Sequence, residues 1–448
     1  VFERRKAKRC VIANGALWAV GNGLVGSTLV VYLAFELGAP RIGLWLSLIK
    51  ASPHLVGLLR LSAPAMIGRV ARRKTFCIAC YLASVLTLLA MPFTVVHGRC
   101  LSPAQATAAM VALWCAYHLL EYLANVALWA WIGDLVPQRI RGRFLGRRER
   151  WMLAGQIAAM LAAAAFLYGW TQWCAGPRWI GYVILAVCGG LGMLVAIVPL
   201  ARMPDVETAR DGRSNAPQRI PLGDLAAPLV DPRFLRWLAF GCWFSLFNGV
   251  TQAAQEYYSA KVLGFEYGQI LVLIVGMRLG QLAASPRLGR MADRFGNRFA
   301  MLVCLPIVAA GMLFYGLATP ERPWWIVAAW TAWIAYAGIN ICQPNLTLKL
   351  APASLRAAYI AAFQAITGAC VAASMIAGGL LLDELDGWQF RVCVGGFTLD
   401  RCQVLFFAGW AFRTLGVAVL WFVVEPPQRE RASAPSPVRP DSDGRRTD

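Results

Sequence analysis

Apolar stretches long enough to cross a bilayer recur along the whole chain, separated by short polar or basic segments. Twelve can be marked, at roughly 11–34, 42–63, 75–96, 106–132, 151–169, 179–200, 236–258, 267–286, 299–318, 323–343, 358–382 and 403–424. A hydrocarbon core roughly 30 Å thick needs about 20 residues of helix to cross it. No water inside that core can satisfy a lone N–H or C=O, so each stretch is predicted to be a helix. A soluble reading would need twelve long helices buried on every side, and it is the poorer one. The expected fold class is therefore an all-α membrane protein with twelve transmembrane helices. The one long polar stretch between spans, 201–235, carries Asp205, Glu207, Arg210, Asp211 and Arg213 and separates six spans from six. The expected organisation is an N-terminal segment 1–10, a first six-helix half 11–200, a linker 201–235, a second half 236–424 and a tail 425–448. The tail, almost free of apolar residues, is expected to be disordered.

Composition agrees with the pattern: 58% of residues are hydrophobic and 15% charged, where soluble domains carry about 25% charge. The net charge of +20 matters through its placement. With the N-terminus taken as cytoplasmic, about three-quarters of the 43 Lys and Arg fall in cytoplasmic segments, as the positive-inside rule requires. Both termini are then inside a cell (cytoplasmic) membrane. The basic residues lie in short loops, so they mark topology and give no reason to expect nucleic acid. The run from Glu3 to Arg9 before the first span could open a signal peptide. The apolar run behind it is too long for one and has no small-residue cleavage site, so it is read as a span. The thirteen cysteines show no metal-binding spacing. Cys393 and Cys402, in one predicted outer loop, can close a disulfide in an oxidising compartment or remain thiols. No metal cluster, nucleotide loop or nucleophile triad is present, so neither an enzyme nor a cofactor is expected.

Two loops of the first half return in the second. Gly289-Arg290-Met291-Ala292-Asp293-Arg294-Phe295-Gly296-Asn297-Arg298 occupies the slot that in the first half ends Gly68-Arg69-Val70-Ala71-Arg72-Arg73. Leu135-Val136-Pro137, followed by Arg141 and Phe144, matches Leu350-Ala351-Pro352, followed by Arg356 and Tyr359. The order and the spacing of about half the chain indicate a duplicated membrane fold. The second-half loop resembles the signature of the major facilitator superfamily, a resemblance that extends over about residues 10–425 and implies two pseudo-symmetric six-helix halves. By that resemblance, the loop acid latches one access state. Asp293 is intact in the second half, with Gly289, Arg294, Gly296 and Arg298 around it. In the first half Gly68 stands where the acid would be. Asp134 can pair with Arg141, whereas Lys349 takes the place of Asp134 in the other copy.

Ionisable residues inside spans are costly in lipid and so are functional candidates. His118, Glu121 and Asn125 share one face of the fourth span with Tyr122. Glu121 is either a proton carrier or half of a structural pair. Lys50 and His54 lie one turn apart on the second span, and Arg278 on the eighth maps beside His54 across the repeat. These bases outnumber Glu121 and suggest a solute with a carboxylate or phosphate. Gln252 and Gln255 can hydrogen-bond a solute. Tyr257 maps onto Tyr32, as aromatics of an outer gate would. Asn340 is placed near the inner vestibule with Gln343 and Asn345. Arg413, on a span the resemblance makes peripheral, is expected to be structural. Drug–proton exporters of the superfamily carry an Arg in the fourth helix and a Gly-Pro-rich motif in the fifth, and neither is found here.

The sequence thus leads to secondary active or facilitative transport of a small polar organic solute by alternating access, by a monomer in the bilayer. Protons are the candidate coupling ion, as in a symporter. A multidrug exporter and a non-transporting sensor on the same fold are the alternatives.

Overall fold

A computed structural model of the chain describes residues 2–57, 59, 73–96, 101–135, 138–174, 176–203, 227–352, 355–387, 392–394 and 397–425. The first half consists of α1 (Phe2–Leu24), α2 (Ser27–Leu37), α3 (Ile42–Gly57), α4 (Arg73–Val96), α5 (Pro103–Leu135), α6 (Gln138–Trp173) and α7 (Arg178–Ala201). The second consists of α8 (Pro232–Gly249), α9 (Gln252–Tyr257), α10 (Tyr267–Phe295), α11 (Asn297–Leu317), α12 (Trp325–Ala332), α13 (Tyr336–Leu350), α14 (Arg356–Gly387) and α15 (Arg401–Trp421). Among the described residues, ten helical segments are long and apolar enough by themselves to cross a membrane. The second span, of which α3 shows 16 residues, and the seventh, interrupted between α8 and α9, complete the expected twelve.

Among the described residues, three spans are interrupted. Gly26, in extended backbone, separates α1 from α2. Val250 and Thr251 separate α8 from α9, at the position that the repeat makes equivalent to Gly26. A 3-10 turn, Trp333–Ala335, separates α12 from α13. An interrupted helix leaves carbonyls and hydroxyls without intrahelical partners, and in lipid these must be satisfied from neighbouring helices. Arg413 on α15 does this for the α8–α9 break: Nε donates to Phe247 O at 2.9 Å, and Nη2 to Asn248 O at 3.3 Å and Thr251 Oγ1 at 2.6 Å.

Within the first half, α1 packs on α6 and α7, and α4 on α5 and α7. Within the second, α8 packs on α14 and α15, and α11 on α12, α13 and α15. The halves meet where α3 packs on α14 and α9, and where α6 packs on α10. Large apolar side chains such as Leu86, Phe93 and Leu415 are more than half exposed, as lipid-facing positions should be. Asp231 starts α8 by accepting from Arg233 N at 2.9 Å. Glu266 and Asp400 start α10 and α15 with reciprocal bonds to Gln269 and Gln403.

Between α14 and α15 lies a short antiparallel hairpin, β1 (Val392–Val394) and β2 (Phe397–Leu399). Cys402 is buried and free of a disulfide, while the side chain of Cys393 lies outside the described residues. So do Gly68 and its loop, the side chains of Asp134 and Arg141, most of the expected linker and the tail beyond Glu425.

Candidate functional site

A cavity of about 380 Å³ is lined mainly by the second half, Asn248 and Gln252 flanking the α8–α9 break, with Thr28 and Lys50 contributed by the first half. Lys50, Gln252, Gln255 and Arg278, four of the residues singled out in the sequence, line it together. Glu256 and Arg413 join them there. Lys50 reaches across from α3 and forms an ion pair with Glu256 on α9, the two being 12% and 16% exposed. Its Nζ also donates to Ser27 Oγ at 3.3 Å and Thr28 Oγ1 at 3.4 Å, hydroxyls presented by the α1–α2 break. Gln255 donates to Thr251 Oγ1 at 2.8 Å. Arg278 comes from α10, a helix that is apolar on either side of it.

On the face opposite the termini, contacts join the two halves. Gly43 N and Leu44 N, at the start of α3, each donate to the Asp383 carboxylate on α14 at 2.8 Å. Gly43 and Gly379 let these two helices touch backbone to backbone, since a Cβ on either would run into the other's carbonyl. Tyr32 donates to Phe265 O at 2.6 Å, with the rings of Tyr267 and Tyr182 5.4 and 6.0 Å away. Arg178 pairs with Glu266 at 2.9 Å. Tyr32 therefore meets Phe265 and Tyr267 across the halves. Tyr257, its counterpart in the repeat, lies under the Arg401 guanidinium instead.

Toward the terminal face, a second cavity of about 450 Å³ shares Asn248 with the first. His54, Gln343 and Gln364 are among its lining residues. Asn340 is exposed and lines neither cavity.

His118, Glu121 and Asn125 form a separate polar cluster inside the first half. Glu121 Oε1 accepts from Trp18 Nε1 at 2.9 Å, and Oε2 lies 3.6 Å from His118 Nδ1. Tyr81 donates to Asn125 Oδ1 at 2.9 Å, and Tyr117 to Asn22 Oδ1 at 3.1 Å. Trp18, Tyr81 and Asn22 thus bring partners to this cluster from other helices, His118 Nδ1 faces Glu121 on its own helix, and His118 Nε2 is buried without a hydrogen-bond partner among the described residues.

At the terminal face, Gly296 turns the chain from α10 into α11 with φ +93°, a conformation that favours glycine. The carboxylate that clamps this turn is Glu425, just past α15. It accepts from Asn297 N at 3.1 Å, Asn297 Nδ2 at 2.8 Å, Arg298 N at 2.7 Å and Lys349 Nζ at 2.7 Å. Burial alone would raise its pKa. The amides of Arg298 and Asn297, with Lys349, outweigh burial and hold the carboxyl below its ordinary value. Asp293 and Arg294 are exposed on the last turn of α10, Arg294 stacking on Phe295, and Gly289 has open space beside it.

Sequence reasoning missed Glu256 and Glu425 and set Arg413 apart from the cavity. The signal for Glu256 was its place in Gln252-Ala253-Ala254-Gln255-Glu256. The helix continues through a wide turn to Val262, which puts Glu256 deeper than the expected end of the span at 258.

The Major Facilitator Superfamily model matches residues 257–442. No curated protein matches the chain. Solved structures match over nearly its whole length. A nucleoside transporter, NupG, is 14% identical with TM-score 0.66, over 94% of this chain and 98% of that one. A D-xylose-proton symporter is 14% identical with TM-score 0.68, over 94% and 98%. A bacterial homologue of the iron transporter ferroportin, in an inward-facing state, is 11% identical with TM-score 0.68, over 93% and 98%. At these identities the likeness is one of fold. The second half is thus similar to the major facilitator superfamily, and from end to end the chain shares the fold of these transporters.

Proposed function

We propose that the chain is a secondary transporter that carries a small polar organic solute across the cell membrane by alternating access. The observation that carries this reading is the polar, charged cavity to which both halves contribute, with contacts joining the halves on one face and an adjoining second cavity toward the other. A protein that only senses a ligand has no need of such a path, and a pump for lipophilic drugs has no need of four charged side chains around it. Taking both termini as cytoplasmic, from the placement of Lys and Arg, the conformation described is the inward-facing one. The contacts of Asp383, Tyr32 and Arg178 then form the outer gate. The Lys50–Glu256 pair, joining the halves at the cavity, is the innermost layer of that gate.

Proton coupling is assigned to Glu121. Its Trp18 and His118 partners support this reading, as does the likeness in fold to a D-xylose-proton symporter.

The test is uptake into proteoliposomes from a panel of sugars, carboxylates, organic phosphates and lipophilic drugs. Saturable counterflow of one polar class is expected. Carriage of the drugs alone favours the exporter. Binding with no carriage of any class favours the sensor and defeats the proposal.

A further inference from the structure

Three cations and one carboxylate line the central cavity, and they are not equally satisfied. Lys50 has Glu256, Ser27 and Thr28. Arg413 is fully buried and uses Nε and Nη2 to hold the α8–α9 break. Its Nη1 is buried with no hydrogen-bond partner among the described residues. Arg278 Nε is also buried without a hydrogen-bond partner, and no carboxylate pairs with this guanidinium, among the described residues. Glu256, the cavity's carboxylate, is already taken by Lys50. The cavity thus holds two guanidiniums beyond what its own acid can neutralise. A buried cation without an anion is among the least favourable arrangements in a membrane, and such groups mark substrate paths. Guanidinium is also the side chain best matched to the paired oxygens of carboxylate and phosphate.

From these observations we propose that Arg278 and Arg413 form the head-group site for an organic anion, a carboxylate or phosphate whose body fills the rest of the cavity. The inference rests on the transport reading only in naming that anion as the solute. Arg278 binds by pairing fully with the head group, and Arg413 contributes Nη1 while its other nitrogens keep the broken helix in place. Gln252 offers hydrogen bonds to a hydroxylated body, and Trp330 and Tyr336 offer flat faces. The volume of about 380 Å³ fits a sugar phosphate or a small aromatic acid. Glu256 belongs to the gate and not to the anion contacts. Neutralising it should leave anion affinity unchanged or tighter.

The test is thermal-shift titration of the purified chain with charged and neutral pairs: glucose 6-phosphate against glucose, benzoate against benzamide, succinate against succinamide, with inorganic phosphate for the head group alone. The phosphate and carboxylate arms decide between the two heads. At least one anion should stabilise the protein where its neutral partner does not. Arg278→Gln should weaken that binding by about tenfold or more, the loss expected for one charge-assisted contact. Arg278→Lys should weaken it less, and Glu256→Gln should not weaken it. The unliganded melting temperature of each variant reports its folding, and Arg413, which holds the helix break, is left intact. A neutral partner that binds equally well, an Arg278→Gln variant with unchanged affinity, or no stabilisation by any anion overturns the proposal. Proteoliposome uptake separates this result from the transport reading. An anion that binds without being carried leaves the site standing and defeats transport, whereas uptake of a neutral solute by Arg278→Gln at the wild-type rate does the reverse.

Discussion

Lys50 and Glu256 depend on each other because both are nearly buried and each is the other's counter-ion. Removing one partner of such a pair leaves a lone charge in a poor solvent, at a cost of about 3–5 kcal/mol, while removing both can be close to neutral. Lys50→Gln and Glu256→Gln are each expected to lower the melting temperature of the purified protein, and the double variant to recover most of the loss. An additive double variant would mean that the two do not interact. Lys50 was legible in the sequence because a charge in mid-span is conspicuous. Glu256 was not, because it stood beside what looked like the end of a span, where a carboxylate meets water at little cost. Arg413 was conspicuous too. Its place at the cavity follows from the α8–α9 break, which no local pattern announces: Val250 and Thr251 are ordinary residues for a helix in lipid.

Helix ends carry the two closures of the molecule. At the face opposite the termini, Asp383 caps the start of α3 by accepting from Gly43 N and Leu44 N. A carboxylate favours a helix N-terminus through the unpaired amides and the helix dipole. Asp383→Ala is expected to weaken closure of that face by about 1–2 kcal/mol, in the range of a lost cap. The readout is faster labelling of a cysteine placed at Gln252 by an impermeant thiol reagent added from that face. Unchanged labelling would show that the cap does not hold the gate. At the terminal face, Glu425 caps α11 from the end of α15 and ties in Lys349 of α13. Its carboxyl is held below the ordinary value of 4.5, so it binds a proton more weakly folded than unfolded. Its contribution to stability is therefore complete at neutral pH and is lost as the pH falls through the depressed pKa, below the ordinary carboxylate range. Glu425→Gln should lower the melting temperature at pH 7 and flatten its decline in acid. An identical acid profile in the variant would assign that decline to other carboxylates. The signature loop around Asp293 was legible from its glycines and charges. Its clamp was not, since Glu425 is well over a hundred residues away and precedes a tail with no pattern of its own.

For the molecule as a whole, the proposed alternating-access cycle would break the contacts on one face while others form on the opposite face. Glu121, inside the first half and away from the cavity, can bias that equilibrium only by changing the packing of its own helices. Glu121→Gln is expected to abolish uptake driven by an imposed pH gradient while leaving solute counterflow measurable in proteoliposomes. Retention of pH-driven uptake would remove Glu121 from the coupling scheme. The sequence by itself determined the twelve spans and the duplication. Lipid enforces helix on any apolar stretch of sufficient length, and tandem copies keep their loop spacing. It also named most of the charged residues at issue, because charge in a span has to be justified. Only the tertiary structure decided which of them meet. Lys50, Gln252, Gln255 and Arg278 come together with Glu256 and Arg413, while His118, Glu121 and Asn125 form their own cluster and His54 lies in the adjoining cavity. The physical reason is that hydropathy records how far a helix reaches across the bilayer. Which neighbour its polar face finds depends on where the helix breaks and how the two halves lean together.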